Sequence, residues 1–324
     1  MTAETHRRVK RFRIAGALAV AVAFAAPSAG VNATMVHDAR GHDVNVESPK
    51  RVVAIGGAVT EILYALGLED RIVGIDTTSL YPKTALAEKP NVGYMRQLSS
   101  EGVLGLNPQL ILAIEGSGPK ETLEVLETAK VPLISVPDKH TAEGVTQKIN
   151  LIAHAMDADA RGACLATAVN ADLASLAILR AQIKTPVRVM FVMSFLNGRA
   201  MVAGQKTAAN AIITMSGAVN AIDSFDGYKP INDEAIVAAK PDVILTMKRD
   251  REEVEKDTVF SNPAFALTPA AKNKSFVAMD GLYLLGFGPR TASAAHDLAL
   301  KLYPSLSSAA PAWTPAVLSA DCRH

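Results

Sequence analysis

Tyr81 and Arg96 are side chains whose type and position suit them to bind a ligand. Tyr81 follows a β-rich run that ends at Ile75, and Arg96 stands just before a short helical run. Open α/β sheets bind ligands at the carboxyl edge of their strands, where such loops lie. A phenolate is a hard oxygen donor that suits ferric iron, and an arginine can form forked hydrogen bonds to a carboxylate. From this pattern alone, however, a loop tyrosine is more often a surface or packing residue.

Glu101 and Glu234 occupy matching places in an internal repeat. Each is the second helical residue after a capping residue, and each short helix is followed by a proline and an apolar run. The two glutamates and the two prolines, Pro108 and Pro241, are separated by the same 133 positions (234 − 101 and 241 − 108). Acidic residues are favoured at helix amino termini, which would by itself explain both glutamates. Two copies in register nevertheless indicate two lobes of similar design.

The elements that must position these residues alternate between strands and helices. Strands are predicted at 51–55, 72–75, 110–114, 131–136, 187–193, 243–246 and 275–279, and helices at 60–66, 99–106, 119–129, 206–215, 233–239 and 291–303. Such alternation indicates parallel strands joined by helical crossovers. The predicted fold class is therefore α/β, with two Rossmann-like lobes built on parallel sheets.

The stretch between the two lobes has a different pattern. Residues 141–183 contain no strand-like run and no proline, and they are rich in Ala, Leu and Ile. We expect an amino-terminal lobe at 34–156, a long linking helix at 157–183 and a carboxyl-terminal lobe at 184–304. Two ordinary helices broken near Asp157 or Asn170 are the alternative to a single linking helix. Residues 305–324, rich in Ser, Ala and Pro, are predicted to be a loosely held tail.

The amino terminus has the three parts of a secretory signal peptide. A basic start precedes an apolar run from Ile14 to Ala26, and small residues follow it. The run of about 13 residues is shorter than the ~20 needed to span a bilayer. We expect a signal peptide at 1–33, cleaved after Ala33, with an uncleaved membrane anchor as the alternative.

Composition narrows the function classes further. The 324 residues carry 33 basic and 32 acidic side chains, so a net charge of +1 argues against a nucleic-acid partner. Only two cysteines are present, Cys164 and Cys322, which cannot form a four-cysteine zinc site. They can form one disulfide in an oxidising compartment, but their spacing does not decide whether they do.

Several motifs in the same order resemble one known family. They are RVVAIGGAVTEILYALG (51–67), GIDTTSLYP (74–82), NVGYMRQLSSEGVL (91–104), VAGQKTAANAII (202–213), GYKPI (227–231) and LLGFGPRT (284–291). Together with two lobes and a linking helix, they resemble the helical-hinge class of ABC-importer binding proteins, which carries cobalamin, siderophores and haem. The motifs resemble the haem-binding branch of that class over roughly residues 51–303.

The resemblance implies a haem carrier in the periplasm that delivers its cargo to an inner-membrane ABC permease with its ATPase. It implies Tyr81 as an axial ligand of ferric haem iron, with Lys83 or Arg96 as the cation that favours the phenolate. Arg96 would bind a haem propionate, and the family contributes pocket contacts at the positions of Tyr228 and Lys229. Glu101 and Glu234 would then dock on the permease, one from each lobe.

The chain departs from part of this family in the second lobe. Some members supply a histidine there as the other axial ligand, but the segment 193–198 contains none. The chain's seven histidines stand elsewhere and are not expected in pocket loops. We therefore expect five-coordinate iron with one protein ligand. Water, a methionine such as Met193 or a second stacked haem would be the alternatives for the remaining position.

Other functions are less well matched by the residues. A cobalamin or ferric-siderophore carrier of the same class is the main alternative. A zinc or manganese carrier would need several convergent histidines or carboxylates, and the sequence shows no such set. An enzyme on the same scaffold is the distant alternative, because the sequence has no Gly-x-Ser-x-Gly, His-Glu-x-x-His or phosphate-loop motif. We expect a monomeric binding protein that is not an enzyme.

Overall fold

A computed structural model describes residues 1–3, 33–248, 254–308 and 313–324 of the chain. The predicted signal peptide falls almost entirely on residues 4–32, which lie outside the described residues. Its expected cleavage point, Ala33, is the first residue of an antiparallel hairpin of β1 (Ala33–His37) and β2 (Asp43–Glu47). The inward-facing Val36 and Val46 are buried while their neighbours are exposed or partly exposed, which is the alternation of a half-buried strand.

The first lobe contains a four-stranded, all-parallel sheet in the order β4-β3-β5-β6. Its strands are β3 (Val52–Ile55), β4 (Ile72–Ile75), β5 (Leu110–Ile114) and β6 (Leu133–Val136). The helices between them are α1 (Gly57–Ala65), α2 (Ala85–Glu88), α3 (Ser100–Leu104) and α4 (Lys120–Thr128), with a 3-10 turn over Glu69–Arg71. Nearly every strand residue is buried, as expected for parallel strands covered on both faces.

Two helices follow the first sheet: α5 (Ala142–Ala155) and α6 (Asp159–Arg180). The 22 residues of α6 are about 33 Å long at 1.5 Å per residue, which confirms the long helix expected between the lobes. The helical conformation is interrupted between α5 and α6 at Asp157, whose φ is +55°. Helix α6 itself continues without a break through Asn170. Within the described residues, α6 alone has the length and hydropathy that a membrane span requires. It packs against α5 and against two helices of the carboxyl-terminal region.

The second lobe is built on a six-stranded mixed sheet in the order β10-β8-β7-β11-β12, with β9 beside the start of β7. Its strands are β7 (Arg188–Leu196), β8 (Arg199–Ala203), β9 (Val219–Asn220), β10 (Tyr228–Pro230), β11 (Val243–Lys248) and β12 (Phe276–Asp280). Strands β7, β11 and β12 are parallel, as predicted. The short β9, which is parallel to β7, and the antiparallel strands β8 and β10 were not predicted. Asn197 and Gly198, both at positive φ, form the turn that returns β8 along β7.

The helices of this lobe complete the fold. They are α7 (Ala208–Met215), α8 (Asp233–Ala239), α9 (Lys256–Ser261), α10 (Pro263–Ala266), α11 (Pro269–Lys272), α12 (Gly281–Leu285), α13 (Thr291–Leu302) and α14 (Ala316–Ser319), with a 3-10 turn over Pro304–Ser308. One core of buried apolar side chains runs from the first sheet through α5, α6 and α7 to α13. A second cluster fills the other face of the second sheet.

The end of the chain differs from the loose tail that the sequence predicted. Residues 313–324, which we call the C-terminal segment, contain α14 and pack against α6. Cys322 is 2% exposed and forms a disulfide with Cys164 of α6. Asp172, also on α6, accepts hydrogen bonds from the backbone N–H groups of Ala316 (2.6 Å) and Val317 (3.0 Å). These long-range bonds hold a stretch whose local composition is that of a loop.

Candidate ligand-binding cleft

A cavity of about 560 Å³ lies where the carboxyl ends of strands from both sheets meet. The first lobe lines it with residues that follow β3, β4, β5 and β6, and the second lobe with residues of β7, β11 and the loops beside them. The lining residues are Gly56, Gly57, Ala58, Thr77, Thr78, Leu80, Met95, Arg96, Ile114, Asp138, His140, Met193, Lys206, Thr207, Ala208, Gly227, Tyr228, Met247, Lys248, Gly281, Leu282, Leu285 and Gly286. Ligands of α/β proteins bind at such an edge, so we call this cavity the cleft.

Two glycines allow α1 to begin directly at the cleft wall. Gly56 has a φ of +109°, and a Cβ there would lie 2.7 Å from the Ile114 side chain. A Cβ on Gly57 would lie 2.3 Å from the backbone oxygen of Thr78. Neither position can hold a larger residue without moving its neighbours. The pair therefore brings β3, α1 and the loop after β4 into close contact.

Asp76 fixes the loop that leads from β4 to Tyr81. Its buried carboxylate accepts hydrogen bonds from Gly56 N (2.8 Å), Thr78 N (3.0 Å), Thr78 Oγ1 (2.7 Å) and Ser79 Oγ (3.1 Å). Thr78 Oγ1 in turn accepts a hydrogen bond from Gly57 N at 2.9 Å. Because a charged acceptor with several donors is strongly bound, the loop has one defined conformation up to Ser79.

Tyr81 lies at the margin of the cleft, one residue beyond Leu80 of its lining. Its half-buried ring lies under the guanidinium of Arg290, whose Cζ is 3.5 Å from the ring centroid. Tyr81 lines two smaller grooves beside the cleft, of about 350 and 250 Å³, and Arg290 lines both with it. A cation over an aromatic face is an attractive contact, so the structure gives this tyrosine a cationic neighbour.

That neighbour is itself bound by the first lobe. Arg290 precedes α13 and donates from Nε to Glu61 Oε1 (2.9 Å) and from Nη2 to Glu61 Oε2 (2.8 Å). Glu61 lies on α1 and is 5% exposed. Burial alone would lower the pKa of Arg290, but the hydrogen bonds and charge of Glu61 outweigh it and raise that pKa. Arg290 belongs to the LLGFGPRT motif, but its place beside Tyr81 was not predicted; Lys83 or Arg96 was the cation expected there.

Of the other predicted site residues, the structure brings Arg96 and Tyr228 together across the cleft. Arg96 is exposed and donates from Nη1 to the Tyr94 hydroxyl at 2.7 Å. Burial raises the pKa of Tyr228, and the positive charge of Arg96 opposes that rise. Lys83 and Lys229 are exposed and do not belong to the lining of the cleft. Met193, the suggested methionine ligand, does line it.

His140 corrects the expectation that no histidine stands in a pocket loop. It follows β6 and lines the cleft, and its ring packs on Phe287 with centroids 4.9 Å apart. Its Nε2 lies 3.4 Å from Asp138 Oδ2, and the fully buried Lys148 donates to Asp138 Oδ1 at 2.8 Å. Burial alone would raise the pKa of Asp138, but the hydrogen bond of His140 and the charge of Lys148 lower it to about 2. The position of His140 just after a parallel strand was the signal that could have identified it.

Glu101 and Glu234 are both exposed in the first turn of a short helix. Ser99 caps the first helix by accepting from Gly102 N at 3.3 Å, and Asn232 caps the second by accepting from Ala235 N at 3.0 Å. The equivalent caps confirm the register of the sequence repeat. Among the described residues, no group of three or more His, Cys, Asp or Glu side chains is placed to hold a metal ion.

Known proteins resemble this chain in both structure and sequence. In structure, the chain is similar to the periplasmic haem-binding protein BhuT in complex with two haems, with 39% identity, a TM-score of 0.75 and coverage of 79% of this chain and 99% of BhuT. It is also similar to the periplasmic haem-binding protein RhuT from Roseiflexus sp. RS-1, with 37% identity, a TM-score of 0.76 and coverage of 79% and 99%. In sequence, it is 24% identical to the vitamin B12-binding protein of Vibrio parahaemolyticus over 76% of this chain and 87% of that protein.

The family match covers most of the chain. Residues 52–282, from β3 into α12, match the family described as periplasmic binding protein. The matched region contains both sheets, the long helix and the strand ends that form the cleft. Proteins of this family are solute-binding proteins. The chain belongs to the periplasmic binding protein family of ABC importers, with a two-lobed α/β fold joined by a long helix.

Proposed function

We propose that this protein binds ferric haem at the cleft between its lobes, with the Tyr81 phenolate as an axial ligand, and delivers it to an inner-membrane ABC permease. The observation that carries the proposal is Arg290 lying 3.5 Å over the Tyr81 ring. A phenolate is a hard anionic oxygen donor that suits ferric iron, and the guanidinium places a positive charge directly beside the ring that would supply it. Because Glu61 holds Arg290 in place with two hydrogen bonds, the cation is already positioned before the cargo arrives.

The cleft suits a large, flat, mostly apolar cargo with acidic groups. Its wall combines methionine, leucine and glycine with a few polar side chains, which is the usual composition of a cofactor site. Arg96, exposed at the cleft, is suited to bind a propionate by a forked pair of hydrogen bonds. Two similar solved structures, at 39% and 37% identity, are of haem-binding proteins.

Titration with haemin tests the Tyr81 assignment. The Soret shift of the mature chain should saturate as haemin is added. Tyr81→Phe should weaken haem affinity by at least about 100-fold, because the anionic ligand is lost. Tyr303→Phe is the matched control, because Tyr303 lines neither the cleft nor either groove at Tyr81. Tyr303→Phe should retain the wild-type Soret spectrum.

The same experiment separates haem from the cobalamin or siderophore alternative. Cyanocobalamin and a ferric siderophore are added in place of haemin, with intrinsic fluorescence of Trp313 as the readout. We expect no saturable binding of either. Tight cobalamin binding together with a Soret spectrum unchanged by Tyr81→Phe would contradict the proposed function.

We also propose that the protein reaches the periplasm through a signal peptide cleaved after Ala33 and acts there as a monomer. The basic start and apolar run of the sequence support export, and an oxidising compartment agrees with the Cys164–Cys322 disulfide. Amino-terminal sequencing of the protein from a periplasmic extract should begin at Thr34. Glu101 and Glu234, exposed one on each lobe, are proposed to dock on the permease.

A further inference from the structure

Both grooves that Tyr81 lines have the C-terminal segment in their walls. The groove of about 350 Å³ is bounded by Tyr81, Tyr283, Arg290 and His296 on one side and by Trp313, Pro315 and Leu318 on the other. The groove of about 250 Å³ is bounded by Tyr81 and Arg290 and by Val317, Leu318, Ala320 and Arg323 of the segment. The open space beside the Tyr81 ring is therefore shaped by residues that lie more than 230 positions later in the chain.

The segment is fixed at several independent points. The disulfide from Cys322 and the two hydrogen bonds accepted by Asp172, which is 1% exposed, attach it to α6. Arg323 forms an ion pair with Glu69 just after α1. The ring of Trp313 lies 4.0 Å from that of His296 on α13. These attachments hold the segment against α1, α6 and α13 together.

Within this fixed segment, Leu318 is conspicuously exposed. Its side chain is 62% exposed although it lines both grooves beside Tyr81. An apolar side chain on a rigid backbone, left open next to a ligand-bearing tyrosine, is available to be covered by the apolar face or edge of a bound molecule. Burial of its free surface would stabilise the complex by the hydrophobic effect.

We propose that the disulfide-tethered C-terminal segment forms one wall of the ligand site at Tyr81, and that Leu318 contacts the porphyrin bound there. This proposal rests on the proposed haem-binding function. The disulfide keeps the wall in place, so the protein holds its ligand most firmly when Cys164 and Cys322 are oxidised.

Haem release measures the contribution of Leu318. The haem-loaded protein is mixed with excess apomyoglobin, and the rate of transfer is followed in the Soret region. Leu318→Ala should speed release by about threefold to tenfold, since it removes part of an apolar contact. Ser319→Ala, on the same helix but outside both grooves, is the matched control and should release haem at the wild-type rate.

The tether is tested with the double variant Cys164→Ser/Cys322→Ser. It should release haem faster than the wild type by a similar or larger factor. Wild-type apoprotein that is reduced with dithiothreitol, alkylated with iodoacetamide and freed of reagent before haem loading should reproduce the effect. Circular dichroism and the urea midpoint show whether the variant is folded; if it is not, Leu318→Ala decides the proposal, because an exposed residue is replaced there.

The outcomes distinguish a failure of the Tyr81 ligand assignment from a failure of the wall proposal. If Tyr81→Phe binds haem normally, the proposed ligand is wrong. If Tyr81→Phe loses haem but Leu318→Ala and folded, untethered protein release it at the wild-type rate, the wall proposal alone is wrong. Faster haem uptake or slower release without the disulfide would also overturn it, because the segment would then obstruct the site.

Discussion

At the scale of single residues, Asp138 joins the cleft to the buried interior. It lies between His140, which lines the cleft, and Lys148, which is fully buried on α5. A buried ammonium without a partner is costly, whereas a paired one is tolerated. Lys148 also lies 3.4 Å from the backbone oxygen of Phe287, so the same cation contacts the loop before α13. The carboxylate therefore keeps a cation stable where an apolar residue would be expected.

The lowered pKa of Asp138 makes its contribution depend on pH. The folded pKa is about 2, below the value of about 3.9 for a free aspartate. Its contribution is therefore fully present above pH 4 and is lost as pH falls toward 2. Asp138→Asn should reduce the free energy of unfolding by about 3 kcal/mol at pH 7, because Lys148 loses its counterion. Urea unfolding at several pH values should show this difference shrinking between pH 4 and pH 2.

The exposed Asp43 provides a control for that measurement. It pairs with the equally exposed His37 on the amino-terminal hairpin. Asp43→Asn should change the unfolding free energy by less than about 0.5 kcal/mol. A gap between wild type and Asp138→Asn that is constant from pH 7 to pH 2 would show that the carboxylate charge is not the cause.

The candidate site was only partly predictable from the sequence, for reasons that differ between residues. Tyr81 and Arg96 follow strands of a parallel sheet, and that local rule places them near its carboxyl edge. His140 obeys the same rule after β6 but was not predicted, because it lies outside the motifs that mark the family. Glu61 and Arg290 are 229 positions apart, so no local pattern links them. Their contact depends on how the two lobes pack.

At the scale of secondary-structure elements, the loop between α12 and α13 connects the second lobe to the first. Phe287 packs on His140, and Arg290 binds Glu61 on α1 while covering Tyr81. A Cβ on Gly288 would lie 3.3 Å from the Glu61 carboxyl carbon. The close approach of this loop to α1 is what allows the forked ion pair to form.

Removing Arg290 should therefore lower the stability of the fold and take away the cation that lies over the Tyr81 ring. Arg290→Ala leaves the buried Glu61 carboxylate unpaired and should lower the free energy of unfolding by about 3 kcal/mol. Arg290→Lys keeps the charge but cannot form both hydrogen bonds, so an intermediate loss is expected. Urea unfolding of Arg290→Ala, Glu61→Gln and the double variant gives the measurement. The double variant should lose less than the sum of the single losses.

Additive losses would contradict a direct coupling between these two side chains. Arg199→Ala is a suitable control, because Arg199 is exposed on β8 of the same lobe. Its replacement should leave the unfolding free energy within about 0.5 kcal/mol of the wild type.

Buried parallel strands were the elements that the sequence predicted best. Continuous runs of Val, Ile and Leu, with a glycine or proline nearby, identified β3, β5 and β11 within one or two residues. Strands β8 and β10 were missed because they are short, with five and three residues, and because β10 is partly exposed and contains a proline. The C-terminal segment was misjudged because its order comes from a disulfide and from Asp172, both distant in sequence. Local composition carries no information about such bonds.

At the scale of the whole molecule, one apolar core passes from the first sheet through α5, α6 and α7 to α13. A shared core resists large separation of the lobes, since opening would expose its apolar side chains to water. The long helix and the loop before α13 add two further connections between the lobes. The surfaces that carry Glu101 and Glu234 are thus held by a scaffold that changes little in shape.

Glu101 and Glu234 are the residues through which we expect the protein to dock on its permease. Each is exposed on a capped helix and, in the described part of the chain, forms no ion pair, so each is free to meet a cation of a permease. A close charge pair at an interface contributes about 1.5–7 kcal/mol to binding. The double variant Glu101→Ala/Glu234→Ala should bind haem normally but stimulate the ATPase of the reconstituted permease at least tenfold less well.

Glu121→Ala is the control for this measurement. Glu121 is another exposed first-turn glutamate in the first lobe, and the variant should stimulate the ATPase normally. Full stimulation by the double variant would show that the permease recognises another surface, and a loss confined to one single variant would show that only one lobe docks through its glutamate.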